Sequence, residues 1–427
     1  MRYLSKSILY IILLLVLLVI ASCSSETNEE SLFEDIKTNN PNDLFNADPS
    51  LNNFVITRWD ESVVIVNPET GSEEIVYTFD DFIYPEGVAN YYNGVIYVST
   101  DDNAINAINP ETKTLLWDVP MLEYDFSSLG FTSININDGI CYASGSFGVM
   151  VAVDAISGEL LWYYSSNING ELDNLLTENR IPIVHKDKVY LFSEIPFASS
   201  IPPYMHILDK NTGKLINKIE LPYETTGEPV ICNDIIYLPA KNMYAIDLNS
   251  LEVIWSFAAD AVSTPQISAD KIVFHGIPVD DTIYSRLYCL DVNTGTPSWI
   301  IETGFDTMWT PTIVNDVVFG VYEKASSFAF ARNGRPFAVN LNDGSQIWYK
   351  EDISIDTSPV YANGRLFFHG HNITGTADID ENVGFFSMNA STGEILWLNN
   401  TFRYDYISTP IVVAQNGIFG PGYFQGN

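Results

Sequence analysis

Two histidines one residue apart, His369 and His371, have a type and spacing that could hold a metal. In an extended strand they lie on one side, with both imidazoles presented to the same neighbour. No third ligand stands near them in the sequence, and Zn²⁺ sites need at least three. His275 occupies the matching place in an earlier stretch, after Ile272-Val273-Phe274, and recurrence of this kind points to structure. Asp378-Ile379-Asp380-Glu381-Asn382 supplies acids as a Ca²⁺ loop would. Such a loop needs Gly at its sixth place and Glu at its twelfth, and here those are Val383 and Asn389. A solvated acidic loop is the better reading. Cys141, Cys232 and Cys289 each lie in an apolar, strand-like stretch with no CxxC or CxH spacing, as small core residues do. No Gly-rich phosphate loop, GxSxG elbow or Ser/His/Asp set marks the chain.

The elements that must position these residues are repeats. An Asp- or Asn-led turn begins at Asn67, Asn109, Asp154, Asp209, Asp247, Asp291, Asn340 and Asn389, in steps of 38 to 55 residues. Gly stands fifth in six copies, at Gly71, Gly158, Gly213, Gly295, Gly344 and Gly393; Lys113 and Leu251 replace it in the others. Trp stands ninth in six copies: Trp117, Trp162, Trp255, Trp299, Trp348 and Trp397. Ile75 and Asn217 take that place in the remaining two. Asp or Asn caps a turn by accepting from the backbone two residues on. Gly supplies the positive φ of a tight hairpin. The indole offers a large flat surface to the next repeat. Upstream, Asn-Gly or Asn-Asp pairs such as Asn93-Gly94 and Asn315-Asp316 break apolar runs, which predicts a hairpin before each turn. Each repeat is therefore expected to be four short antiparallel strands.

The phrase (Asp/Asn)-x-x-(Thr/Ser)-Gly-x-x-x-Trp resembles the tryptophan-docking motif of pyrroloquinoline-quinone-type propellers. The resemblance covers roughly residues 54–423 and implies an all-β, eight-bladed propeller of four-stranded antiparallel blades. The six tryptophans are then blade-docking residues. The first copy shows no innermost strand, and Ser408-Thr409-Pro410-Ile411-Val412-Val413 follows the last Trp. The ring is expected to close by this C-terminal strand joining the first blade, which removes exposed edges. Pro opens several innermost strands, as in Thr264-Pro265 and Ser358-Pro359, where no ladder donor is needed. In this family those strand starts face one mouth of the channel, so Ser263, Thr264, Trp309, Ser358 and Ser408 are candidate mouth-lining residues. The quinone dehydrogenases of this fold carry an adjacent Cys-Cys pair and acids around Ca²⁺. This chain has no such pair, and no bound cofactor, metal or catalytic residue is expected.

The first 22 residues read as a targeting segment. Arg2 and Lys6 precede an apolar run from Ile8 to Ile20, short for a membrane span. Ile20-Ala21-Ser22-Cys23 resembles the lipobox of bacterial lipoproteins, which implies cleavage before Cys23 and lipid on that residue. Residues 23–53 are polar and read as the lipidated Cys and a flexible tether; 54–427 form the propeller. The net charge is −34, from 54 acids against 20 bases, and such a surface repels nucleic acid. The chain is similar to the propeller lipoprotein of the outer-membrane β-barrel assembly machinery. That resemblance implies a monomeric, non-enzymatic module, held to the outer membrane by lipid and binding envelope proteins. Two other readings stand beside it. One is a quinone- or Ca²⁺-dependent enzyme or small-ligand sensor at the central mouth. The other is a surface glycan-binding or adhesion module.

Overall fold

A computed structural model describes residues 54–426 apart from 60, 81–84, 101–103, 121–130, 146–148, 166–180, 193–201, 222–224, 262, 280–283, 306–308, 324–333, 363, 373–382, 402–409, 415–416 and 421–422. The signal segment, Cys23 and the tether lie outside the described residues, as do the acidic loop 378–382 and Ser408. The described residues form strands and no helix. It follows that no helix among them is long and apolar enough to cross a membrane.

The second to fifth repeats are each a four-stranded antiparallel sheet. The third repeat shows why. Its third strand, Val149–Asp154, is buried on both faces except at the aspartate and reads as an unbroken apolar run. Its fourth strand, Leu160–Ser165, alternates at first, with Leu161 and Tyr163 exposed and Trp162 buried. Between them Asp154 Oδ1 accepts the backbone N–H groups of Ile156 at 3.0 Å and Ser157 at 2.7 Å. The same cap recurs at Asp209, Asp247, Asp291 and Asn389.

The core lies between repeats. One cluster joins Tyr97, Ile105 and Ala107 of the second repeat to Ile136, Cys141 and Val151 of the third. Others join the third to the fourth, the fourth to the fifth and onward in the same way. Innermost strands lie side by side: Pro85–Tyr92 against Phe131–Asn137, and Thr312–Val314 against Val360–Ala362.

The later repeats depart from separate four-stranded units. The sixth to eighth merge into one fourteen-stranded sheet. Gly304 bridges to Glu323 of the next repeat and Gly334 to Ile355. Glycine permits this approach, because a Cβ on Gly304 would run into the Glu323 carbonyl oxygen. The first repeat is also extended. Its sheet runs Glu73–Thr78, Ser62–Val66, Phe54–Trp59, Ile411–Ala414, then Gly417–Gly420 and Tyr423–Gly426. Ile411 pairs with Ile56 and Val413 with Phe54, across almost the whole length of the chain.

Candidate functional site

Where the innermost strands of the sixth and eighth repeats begin, at the candidate mouth, the ladder is broken. In the sixth repeat, Ala259–Ala261 and Gln266–Ser268 both pair with the same strand, Lys271–Pro278. The chain leaves the ladder between them, through Ser263, Thr264 and Pro265. This would orphan the N–H of His275, and a buried unpaired N–H is costly. Ser263 Oγ accepts it at 2.9 Å. The eighth repeat repeats the device: Ile353–Ile355 and Val360–Ala362 flank the break, and Thr357 Oγ1 accepts the N–H of His369 at 3.0 Å. Hydroxyl and histidine are twelve residues apart in both.

The candidate mouth residues separate accordingly. Ser263 and Ser358 are buried, and Thr264 is half-buried between Ser263 and Pro265. Ser358 Oγ accepts the N–H of Thr310 at 3.0 Å, which ties the eighth repeat to the seventh. Trp309 packs half-buried on the cluster of Phe319, Phe368 and Phe386. The sequence pointed to Ser358 and passed over Thr357, because Pro359 drew attention to its immediate neighbour. The signal for Thr357 was the twelve-residue spacing to a histidine in a Phe-His-Gly triplet, shared by Phe274-His275-Gly276 and Phe368-His369-Gly370.

The histidines take different surroundings. His275 is fully buried, and burial pushes its imidazole down to about 3, so it is neutral at physiological pH. Its Nδ1 lies 3.4 Å from Thr303 Oγ1. His369 Nε2 meets Thr57 Oγ1 at 2.8 Å, a bond from the eighth repeat to the first. His371 Nδ1 lies 3.5 Å from Asp356 Oδ2. Burial raises the Asp260 carboxyl, opposed by nearby Lys241. Burial also raises the thiols of Cys141 and Cys289, the latter to about 12, which leaves these two unreactive.

At the opposite end of the strands sit the turns and the tryptophans. Trp255 Nε1 donates to Val292 O at 2.9 Å, Trp299 to Leu341 O at 2.7 Å and Trp348 to Ala390 O at 2.8 Å. Trp117 and Trp162 do the same toward Ile156 O and Lys210 O. Trp397 donates to Pro68 O at 2.9 Å, from the last repeat to the first. Each indole lies over the turn glycine of the following repeat. A Cβ on Gly295 would sit 2.6 Å from Trp255, and one on Gly71 2.6 Å from Trp397. Positive φ alone does not demand these glycines, since Lys113 and Leu251 hold φ of 58° and 63° at the same turn position. The six glycines have the expected positive φ, and each also clears room for the indole.

The profile of the outer membrane protein assembly factor BamB family matches residues 58–301, more than half of the chain. The chain belongs to this family. BamB of Moranella endobia (strain PCIT) is 21% identical over 299 residues, covering 65% of this chain and 69% of that protein. The quinoprotein alcohol dehydrogenase PedH of Pseudomonas putida is 24% identical over 196 residues, 43% of this chain. The chain spans 32% of PedH, about a third of its length. The solved structure of BamB from Moraxella catarrhalis superposes with a TM-score of 0.53 at 14% identity, covering 75% of this chain and 93% of that one. The fold is thus a quinoprotein-like propeller similar to BamB.

The quinoprotein relatives raise the question of a quinone and its Ca²⁺. Among the described residues, no three of His, Cys, Asp and Glu gather as metal ligands. His371 and Asp356 offer one nitrogen and one carboxylate, whereas Ca²⁺ takes six to eight oxygens. The described donors of this BamB-family chain do not fit that ion.

Proposed function

We propose that this chain is a lipid-anchored, non-catalytic, eight-bladed propeller of the cell envelope that binds proteins in outer-membrane assembly. Ring closure through Ile411–Ala414 is supported by its pairing with Phe54–Ile56, by Trp397 on Pro68 and Gly71, and by His369 on Thr57. The eight turn-and-Trp positions then form a cycle in which each repeat docks on the next.

The observation that carries protein binding is the outer rim. The residue before the Trp position is a large exposed aliphatic in six of the eight repeats: Leu116, Leu161, Ile216, Ile254, Ile347 and Leu396. Several have exposed companions, as in Leu215-Ile216 and Val253-Ile254. Apolar surface repeated on edge strands suits an extended protein partner. At the mouth, in contrast, Ser263, Ser358 and Thr357 hold backbone N–H groups of the fold itself. That favours the binding module over chemistry there.

The test is a pull-down of the full lipidated chain from its own envelope. Recovery of barrel-assembly components is the expected result. The reading is lost if none is recovered and the purified chain, given pyrroloquinoline quinone and Ca²⁺, reduces a dye at the expense of an alcohol.

A further inference from the structure

Three positions change together around the ring. Where Trp is present, the following turn carries Gly and the residue paired across from the Trp is small. Those partners are Ala107, Ala152, Ala245, Cys289, Ala338 and Ser387. In the first repeat Trp becomes Ile75, its partner is Val64, and the next turn has Lys113. In the fourth repeat Trp becomes Asn217, its partner is Ile207, and the next turn has Leu251. All three positions revert together at both places and nowhere else in the eight copies. The logic is steric. The indole needs a small residue behind it and no Cβ in front of it. Once it is gone, both sites admit larger side chains.

We infer that the ring consists of two stapled arcs, the second to fourth repeats and the fifth to first, meeting at two soft seams where the outer rim opens first. Trp117 and Trp162 staple the shorter arc; Trp255, Trp299, Trp348 and Trp397 staple the longer one. The longer arc is stiffened again by the fourteen-stranded sheet through its sixth to eighth repeats.

The soft seams keep their deep core. Leu115 packs on Ile56, Val63 and Val98 across the first, and Leu251 packs on the Ile207, Leu221 and Ile246 cluster across the other. Their outer parts are wet. At the Trp position Ile75 is 44% exposed and Asn217 is exposed, whereas Trp162, Trp255 and Trp348 are each 8% exposed and the other three tryptophans half-buried. In place of an indole, the first seam has Lys113 on Glu74 at 2.6 Å, both half in solvent. At the second seam Lys186 and His185 meet Asp234 at 2.5 and 2.7 Å, at the hairpins that follow the innermost strands Ile183–His185 and Val230–Cys232. Exposed pairs of this kind are weak and screened by salt. Each seam is therefore anchored at the inner core and loose at the rim, which is the form of a hinge.

Native-state hydrogen exchange on the full chain tests this. Amides of Glu73–Thr78 and Leu215–Glu220 are expected to exchange about tenfold faster than those of the stapled fourth strands Val253–Phe257 and Gln346–Tyr349, with a wider gap in high salt. The triple variant I207A/N217W/L251G installs the missing staple. It is expected to slow Leu215–Glu220 to its neighbours' rate and leave Glu73–Thr78 unchanged. Uniform exchange around the rim of the wild-type chain overturns the proposal, whether or not the variant folds. So does a folded triple variant whose Leu215–Glu220 exchange stays fast.

Discussion

At the scale of single residues, a glycine and a lysine in the same backbone conformation separate two reasons for placing glycine in a turn. Gly295 has φ of 68° and faces the Trp255 ring; Lys113 has φ of 58° and faces no indole. Gly295→Ala places a Cβ 2.6 Å from Trp255 Cε3, and neither the ring nor the backbone has an easy way to yield. Overpacking of this kind costs about 1–3 kcal/mol, and positive φ adds up to about 1 kcal/mol for a residue with a Cβ. Lys113→Ala keeps a Cβ that is already there and removes an exposed ion pair, so its cost should stay within about 0.5 kcal/mol. Urea unfolding of both variants measures this. A Gly295→Ala cost of no more than about 1 kcal/mol would mean that φ, and not the indole, selects the glycine. The same reasoning assigns Cys289: it is a small residue paired across from Trp299, in a place other repeats give to alanine or serine.

At the scale of the element, the turn does its work with either of two chemistries. Asp154, Asp209, Asp247 and Asp291 accept turn N–H groups as carboxylates; Asn67, Asn109, Asn340 and Asn389 accept them as amides. Hydrogen bonds to Ser157, Thr212, Ser250 and Thr294 hold the four carboxyls below their usual range. A carboxyl depressed in the folded state adds stability above its unfolded value, near 3.9, and that stability is lost as pH falls through the folded value. The D154N/D209N/D247N/D291N variant keeps every acceptor and removes this titration. Its urea midpoint should therefore fall less steeply than the wild type's below about pH 4. Parallel slopes down to about pH 2.5 would show that these caps do not govern acid stability. The turn, its cap and its Trp were legible in the sequence because they act within nine residues. The ladder break was only half legible, since Thr357 and His369 show their relation once a strand folds back. The merging of the sixth to eighth repeats was not legible at all. It rests on Gly304 and Gly334 meeting backbone from other repeats, and no local pattern encodes that meeting.

At the scale of the whole molecule, the question is whether the eighth repeat is an end or a neighbour. An open arc would leave its last tryptophan with nothing to cover, and loss of that ring would cost little. In the closed ring proposed above, Trp397 stands toward Pro68 and Gly71 as Trp348 stands toward Ala390 and Gly393. Its seam is further joined by Asn399 Nδ2, which donates to Gly71 O at 2.9 Å, and by the Arg365–Glu69 ion pair. Trp348→Ala and Trp397→Ala should then cost about the same, on the order of 3 kcal/mol each. Both should lower one cooperative transition, because a ring that loses one interface exposes the cores on either side of it. Calorimetry of the two variants decides the matter. A cost for Trp397→Ala below about 1 kcal/mol, with the Trp348→Ala cost intact, would mean that the ring is open between its first and last repeats.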